Sequence, residues 1–253
     1  MAFVLDKEGN YLPVFGIAKS IVDSSYLPNE TTINVKLDGS GDFTTFKDAL
    51  DYLTGKISDG TVKVVLGSGT FDVNGNLPFY ISKVNIPRIE ISGQGKDNTI
   101  INGKNTPDWN GVINIGNNNS IVCFKDLTIN TENSTTGCCL KVNGGNVQIY
   151  GTTAFTNGNT GVVIFGNGSV YIADCNMYLT NNASAGIICQ GGGNVIIVST
   201  KFYLDTVGTA FSINIGTIKM WNCTKSSATS VTNLFSQTAN TLTSQGYILS
   251  DLT

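Results

Sequence analysis

Residues 161–172 read Gly-Val-Val-Ile-Phe-Gly-Asn-Gly-Ser-Val-Tyr-Ile, and residues 186–197 read Gly-Ile-Ile-Cys-Gln-Gly-Gly-Gly-Asn-Val-Ile-Ile. Each stretch contains an apolar run, a turn rich in Gly and Asn, and then an alternating strand. The two copies lie 25 residues apart. A constant period of this length indicates a repeat protein, in which each copy is one unit that stacks on the next.

The same period extends through the chain from residue 110. Five apolar runs begin with glycines that are 26, 24, 25 and 22 residues apart, and the strands after the turns begin at intervals of 26, 23, 25 and 23. A third series of apolar pairs has a similar spacing, so each repeat holds three short strands. The glycines are Gly111, Gly137, Gly161, Gly186 and Gly208, the strands begin at Ile121, Val147, Val170, Val195 and Ile218, and the pairs are Leu127/Ile129, Thr153/Phe155, Met177/Leu179 and Phe202/Leu204.

This pattern predicts an all-β fold, a right-handed parallel β-helix with three faces. Residues about 24 positions apart then become neighbours, because stacked strands pair about 4.8 Å apart along the axis. An antiparallel sandwich with similarly spaced turns is the alternative, but a sandwich does not keep one register through successive strands. The Gly and Asn residues between strands suit corners that need a positive φ.

Alternation within the second strand of each repeat predicts which side chains face outward. The inward set is Ile121/Cys123, Val147/Ile149, Val170/Ile172, Val195/Ile197 and Ile218/Met220. The outward positions form a band that is too apolar for a wet surface. A second copy of the chain, its own C-terminal tail or a ligand would cover this band, and a three-sided prism favours a homotrimer. The candidate subunit interface is Val122, Phe124, Tyr150, Tyr171, Ile196, Val198 and Trp221.

The two ends of the chain differ from the repeats. Phe46, Ala49, Leu50 and Leu53 have the spacing of an amphipathic helix, which predicts a capping helix at about residues 44–54. We therefore expect an N-terminal attachment arm over 1–32, the β-helix over 33–225, and a C-terminal cap or trimer-knitting tail over 226–253.

Composition excludes several classes of partner. The formal net charge of −3 gives no basic surface for nucleic acid. No apolar run spans a membrane, and the first residues do not have the order of a signal peptide. Six cysteines lie mostly within apolar runs without the spacing of zinc ligands, so we expect buried, reduced thiols and no metal or cofactor. An unusual redox pair at Cys138 and Cys139 is the alternative.

Four stretches in the N-terminal part resemble a known superfamily. They are Asp38–Phe46, Ala49–Leu50, Gly67–Phe71 and Ile91–Ile101. Together they are similar to the opening of the pectinesterase and pectin-lyase-like β-helix superfamily, over about residues 33–103. The same opening is similar to β-helix proteins of bacteriophage tails and fibres. The resemblance implies the capping helix and the first coils, and carries no chemistry by itself.

The catalytic boxes of pectinesterases are absent from the sequence. That family carries Gln-Asp-Thr, Asp-Phe-Ile-Phe-Gly and Leu-Gly-Arg-Pro-Trp, whereas this chain has no Gln-Asp pair and a single arginine, Arg88, ahead of the repeats. The chain contains no histidine, which excludes Ser/His/Asp and Cys/His nucleophile systems. No catalytic residue is therefore assigned.

Two further sets of residues remain open. A two-carboxylate glycosidase would need a pair among Asp126, Glu132, Asp174 and Asp205, which we interpret instead as solvated corner charges. Aromatic side chains with exposed ring faces are typical of sugar contacts, although they also fill subunit interfaces. The candidate glycan contacts are Trp109, Tyr178 and Tyr203.

The sequence thus favours a non-enzymatic bacteriophage virion protein, a tail or head fibre or spike. It would form a homotrimeric shaft, bind other virion proteins through its N-terminal arm, and contact host surface glycan, with no nucleic acid and no membrane insertion. The alternatives are a polysaccharide-acting lyase, esterase or glycosidase, and a host-encoded carbohydrate-binding module.

Overall fold

A computed structural model describes residues 3–5, 11–13, 25–72, 78–82, 84–103, 110–116, 120–132, 136–226, 231–235 and 248–249. It is a parallel β-solenoid whose stacked coils each contribute strands to three ladders. Trp109 lies outside the described residues. Within the described ranges, no helix has both the length and the apolar character needed to cross a bilayer.

The three ladders run the length of the solenoid. Ladder A contains Thr31–Val35, Thr61–Leu66, Arg88–Ser92, Ile121–Lys125, the first halves of Asn146–Thr156 and Ser169–Thr180, Gly193–Val198, Gly216–Trp221 and Ile248–Leu249. Ladder B contains Gly69–Asp72, Thr99–Asn102, Thr128–Asn130, the second halves of the same two long strands, Lys201–Asp205 and Thr224–Lys225. Ladder C contains Phe79–Ile81, Gly111–Ile115, Cys138–Asn143, Thr160–Phe165, Ala185–Cys189, Val207–Ile213 and Val231–Phe235.

The register confirms the predicted stacking. Val147 pairs with Val170, and Val170 pairs with Val195, in one parallel ladder. Ladders A and B form a single 14-stranded sheet because the strands Asn146–Thr156 and Ser169–Thr180 continue through the corner between them, whereas ladder C is a separate 7-stranded sheet.

The three corners of the solenoid differ in the residue types that adopt a positive φ. Glycines with positive φ occupy the corner from ladder C to ladder A, as the sequence predicts. The other two corners use one residue with positive φ per coil, and most of these are not glycine, so their backbone is held in a region that L-residues rarely adopt. The A-to-B corner has Asp126, Gly151, Asp174, Ser199 and Asn222, the B-to-C corner has Glu132, Asn157, Asn181 and Thr206, and the C-to-A corner includes Gly144, Gly166, Gly191, Gly192 and Gly216.

The prediction for one strand of ladder A is wrong by one residue. Val122 pairs with Ile89 and Val147, and Phe124 pairs with Ile91 and with the inward Ile149. Val122 and Phe124 are therefore fully buried in the core and are not outward interface residues. Four consecutive apolar residues, 121–124, carry no alternation, and a slip of one residue exchanges the two faces of a strand. The companion assignment is also wrong, because Ile121 and Cys123 lie on the outer face.

The helix Phe46–Leu53 closes the N-terminal end, as predicted. The Thr45 side chain accepts a hydrogen bond from the Asp48 backbone N–H and so caps the first turn. The buried face of the helix continues the core, and the Phe46 ring lies 4.9 Å from that of Phe79 in ladder C. A bridge between Tyr26–Leu27 and Ile57–Ser58 lies beside it, and Phe3–Leu5 pairs with Tyr11–Pro13 in an antiparallel hairpin.

All six cysteines are buried and free, which confirms the sequence interpretation. Burial raises the pKa of the Cys138 thiol to about 12, and raises that of Cys139 well above the usual range. Neutral thiols of this kind behave as small hydrophobic side chains, because the reactive form is the thiolate.

Candidate functional site

The C-terminal half of the outer surface of ladder A is apolar. Ile196 pairs with Tyr171 on one side and with Lys219 on the other, and Val198 pairs with Trp221. Tyr171, Ile196 and Val198 are half-buried, while the Trp221 side chain is 43% exposed. These four residues, defined here as the apolar patch, lie where the sequence placed part of the candidate interface.

The N-terminal half of the same surface carries a polar network that spans three coils. Arg88 donates from Nε to Glu90 Oε1 at 2.7 Å and from Nη1 to Gln148 Oε1 at 2.8 Å. Gln148 Oε1 also accepts from the Tyr150 hydroxyl at 2.9 Å, and the Cys123 sulfur lies 3.6 Å away. One amide oxygen therefore has contacts from each of the two preceding coils and from its own strand.

Burial and neighbouring groups shift the pKa values of Arg88, Tyr150 and Cys123 in this network. Burial favours a lower pKa for Arg88, but its hydrogen bond to Glu90 and the surrounding charges outweigh this, so that the pKa is raised and the guanidinium stays charged. Burial raises the pKa of Tyr150, and it raises the pKa of the Cys123 thiol to about 12 against an opposing effect of Arg88. Raised pKa values at Arg88, Tyr150 and Cys123 do not suit these three groups to proton transfer near neutral pH.

Tyr150 joins the network to the apolar patch. Its hydroxyl binds Gln148, and its ring lies 6.5 Å from that of Tyr171 in an edge-on arrangement. The sequence placed Tyr150 among the interface candidates from its apolar surroundings alone. The network itself was missed, since nothing in a linear pattern shows that Arg88 and Gln148, 60 residues apart, contact each other.

The candidate glycan contacts Tyr178 and Tyr203 are neighbours on the outer face of ladder B. Their rings are parallel within 5°, with centroids 4.2 Å apart. The Lys96 ammonium lies 4.6 Å from the Tyr178 centroid and that of Lys201 lies 5.1 Å from the Tyr203 centroid. Each ring thus contacts its neighbouring ring and a lysine ammonium, so a sugar would have to approach the ring edges.

The four carboxylates considered for glycoside cleavage are divided between two corners. Asp126 and Asp174 lie at the A-to-B corner, Glu132 lies at the B-to-C corner, and Asp205 ends a strand of ladder B. Asp126 Oδ1 accepts from the Thr152 backbone N–H at 2.8 Å, so its carboxylate holds the next coil in place. Among the described residues, no group of three or more His, Cys, Asp or Glu side chains is arranged to hold a metal ion.

Comparison with known proteins gives matches of structure only. No family model and no curated protein matches the sequence. The pectin methylesterase of Aspergillus niger has a TM-score of 0.59 at 16% identity, covering 88% of this chain and 73% of that one. Pectin methylesterase PemA of Erwinia chrysanthemi has a TM-score of 0.52 at 12% identity, covering 80% and 67%.

A protein of Geobacillus virus E2, ORF18, is also similar, with a TM-score of 0.44 at 13% identity over 90% of this chain and 60% of that one. The identities to the two pectin methylesterases are too low to transfer an activity, so the likeness concerns the fold. The chain therefore has a parallel β-helix fold like that of these two pectin methylesterases, as its opening boxes predict.

Proposed function

We propose that the protein is a non-enzymatic structural component of a bacteriophage virion, a tail or head fibre or spike. In this role the β-helix is a rigid shaft, the residues before about 33 attach it to other virion proteins, and its surface contributes to host attachment. The resemblance of the opening boxes to phage β-helix proteins supports the phage assignment. The absence of the pectinesterase catalytic boxes from the sequence supports a role without catalysis.

The observation that carries the shaft role is the apolar patch. Tyr171, Ile196, Val198 and Trp221 lie in register on successive coils, so they form a continuous strip on a rigid surface. A partner that covers this apolar surface removes it from water, which stabilises the association. We propose that the partner is a second copy of the same surface in a homotrimer, because three identical prisms bury three such strips around one axis.

The oligomeric state is tested by multi-angle light scattering on the full chain. We expect a mass of three times 26.8 kDa for the wild type and a monomer for the double variant Ile196→Lys/Trp221→Lys. The control is Tyr80→Lys, which introduces one lysine at a side chain that is 57% exposed on ladder C, away from the apolar patch. A monomeric wild type at micromolar concentration, or a trimer that survives the double substitution, contradicts the proposal.

A second experiment distinguishes a role in host attachment from a role in polysaccharide cleavage. We propose that Tyr178 and Tyr203 contribute to glycan contact, in which case the purified protein binds host cells and Tyr178→Ala/Tyr203→Ala weakens this binding. Incubation with pectin and with capsule from the same cells is expected to release no reducing ends and no methanol. Turnover of either polysaccharide contradicts the non-enzymatic role and favours the esterase, lyase or glycosidase alternative.

A further inference from the structure

A cleft lies on the outer surface of ladder A at its N-terminal end, away from the apolar patch and the polar network. Its volume is about 440 Å³, within the range of about 300–1,000 Å³ found for small-molecule sites. One wall is the segment after the first strand of the ladder and the other is formed by the next two coils. The residues that carry the argument are Asn34, Lys36, Leu37, Asp38 and Gln94.

Two amides of the cleft are oriented by bonds from their nitrogens. Gln94 donates from Nε2 to the Leu66 carbonyl oxygen at 3.1 Å, and Asn34 donates from Nδ2 to Asp42 Oδ2 at 3.3 Å. Neither Gln94 Oε1 nor Asn34 Oδ1 accepts a hydrogen bond from any residue that the structure describes. The cleft therefore presents two fixed acceptors that can receive hydrogen bonds from a ligand.

The loop that bears Lys36 and Asp38 is also fixed. The Lys36 N–H donates to the Phe43 carbonyl oxygen at 2.9 Å, and the Ser40 N–H donates to Asp38 Oδ1 at 2.9 Å. A Cβ on Gly69, whose φ is +127°, would lie 2.5 Å from Leu37 Cδ1, so the loop contacts the next coil closely. A preformed site loses less conformational entropy when a ligand binds.

The charges in the cleft discriminate between classes of ligand. Hydrogen bonds from Ser40 lower the pKa of Asp38, so its carboxylate is ionised at neutral pH. The Lys36 ammonium carries the opposite charge, so the two side chains together give the cleft no net charge that would select an anion or a metal cation. A neutral ligand rich in hydroxyl groups can use every polar group of the cleft, because its hydroxyls donate to the carboxylate and the amides and accept from the ammonium.

We infer that this cleft is a binding site for a neutral saccharide unit. Leu37, which is 48% exposed, lies beside the polar groups and offers an apolar contact for the C–H face of a sugar ring. A polar set that fixes orientation next to an apolar surface is the usual composition of a small-molecule site. The site is independent of the proposed virion role and of the tyrosine pair on ladder B.

The test is saturation-transfer difference NMR on the full chain with the methyl glycosides of glucose, galactose and mannose. We expect transfer to at least one of them, and weaker transfer to galacturonate and glucosamine at equal concentration. Asp38→Asn keeps an acceptor for Ser40 but removes the charge, so the affinity is expected to fall about tenfold. Leu37→Ala provides a second variant at an exposed position, with an expected loss of about threefold.

Asp59→Asn is the matched control, since it removes one exposed carboxylate from a turn that does not line the cleft and is expected to leave binding unchanged. Transfer to none of the three glycosides overturns the inference. A preference for galacturonate or glucosamine, or equal binding by the Asp38 and Leu37 variants and the wild type, overturns it as well. Circular dichroism on each variant establishes that the β-helix is intact.

Discussion

The inner and outer surfaces of ladder A share one backbone and differ completely in their chemistry. The inner surface is uniform, because on every full coil from Val62 to Met220 it carries two apolar side chains that are at most 2% exposed. The outer surface changes along the axis, from the ion pair of Glu30 with Lys63 and the Arg88 network to the apolar patch. Stacking therefore constrains the inner side chains strongly and leaves the outer ones free to differ.

The difference has a physical cause. An inward residue contacts equivalent residues of the coils above and below, so every coil offers it the same dry environment. An outward residue contacts whatever covers the shaft at that height, which is water at one level and another apolar surface at another. A periodic core therefore coexists with a non-periodic exterior.

The largest expected effect on stability comes from a substitution on the inner surface of ladder A. Phe124→Ala leaves a cavity between Ile91 and Ile149 and is expected to lower the free energy of unfolding by about 3–5 kcal/mol. Ile121→Ala, on the half-buried outer face of the same strand, is expected to cost about 1 kcal/mol. Urea denaturation followed by circular dichroism measures both. A larger cost at Ile121 than at Phe124 would show that Ile121 faces the core and Phe124 faces outward, contrary to the structure.

A smaller loss of stability is expected at alkaline pH, and it tests whether the Cys123 thiol beside the polar network is buried. The pKa of Cys123 is about 12 in the folded protein, above its unfolded value. The stability that the buried neutral thiol contributes is therefore fully present below about pH 8.5. It is lost as the pH rises toward 12, by about 1.4 kcal/mol per pH unit. Between pH 9 and 10.5 the wild type should lose about 2 kcal/mol more than Cys123→Ala. Parallel stability curves for the two proteins contradict a buried neutral thiol.

The acceptor at the centre of the network provides the next test. Gln148→Leu removes the oxygen that receives the Arg88 and Tyr150 donors, and is expected to destabilise the fold by about 1–2 kcal/mol. Gln148→Glu keeps an acceptor for both and serves as the matched control. Chemical denaturation distinguishes them, and equal stabilities for the two variants show that the network is not needed by the fold.

The smallest expected effect on the fold lies in the apolar patch. Trp221→Ser is expected to lower the free energy of unfolding of the dilute monomer by about 1 kcal/mol, since the side chain is 43% exposed and lies on the outer surface of the ladder. At high concentration, the same substitution lowers the trimer content if the patch is the subunit interface. A loss of several kcal/mol in dilute solution indicates instead that Trp221 packs within its own chain.

Sequence periodicity predicted the ladders well and the polar corners poorly. The apolar pairs from Val147 onward lie where their spacing placed them, and the helix Phe46–Leu53 occupies the expected segment. Positive φ at Ser199 and Thr206 had no sequence signal, because these residue types are usually found at ordinary φ values. The faces of residues 121–124 could not be assigned either, since a continuous apolar run fits both registers.

The amino-acid sequence by itself determined that this chain stacks into a three-sided parallel solenoid, because a short repeat buries its apolar residues only against its neighbours. It also determined that the six thiols are buried and that the chain lacks the pectinesterase boxes. Tertiary structure alone decided which outer side chains meet, as in the contacts of Arg88 with Gln148, Tyr178 with Tyr203, and Asn34 with the cleft beside Gln94. These contacts join residues from different coils, and their partners depend on corner geometry and register, which hydrophobic spacing does not encode.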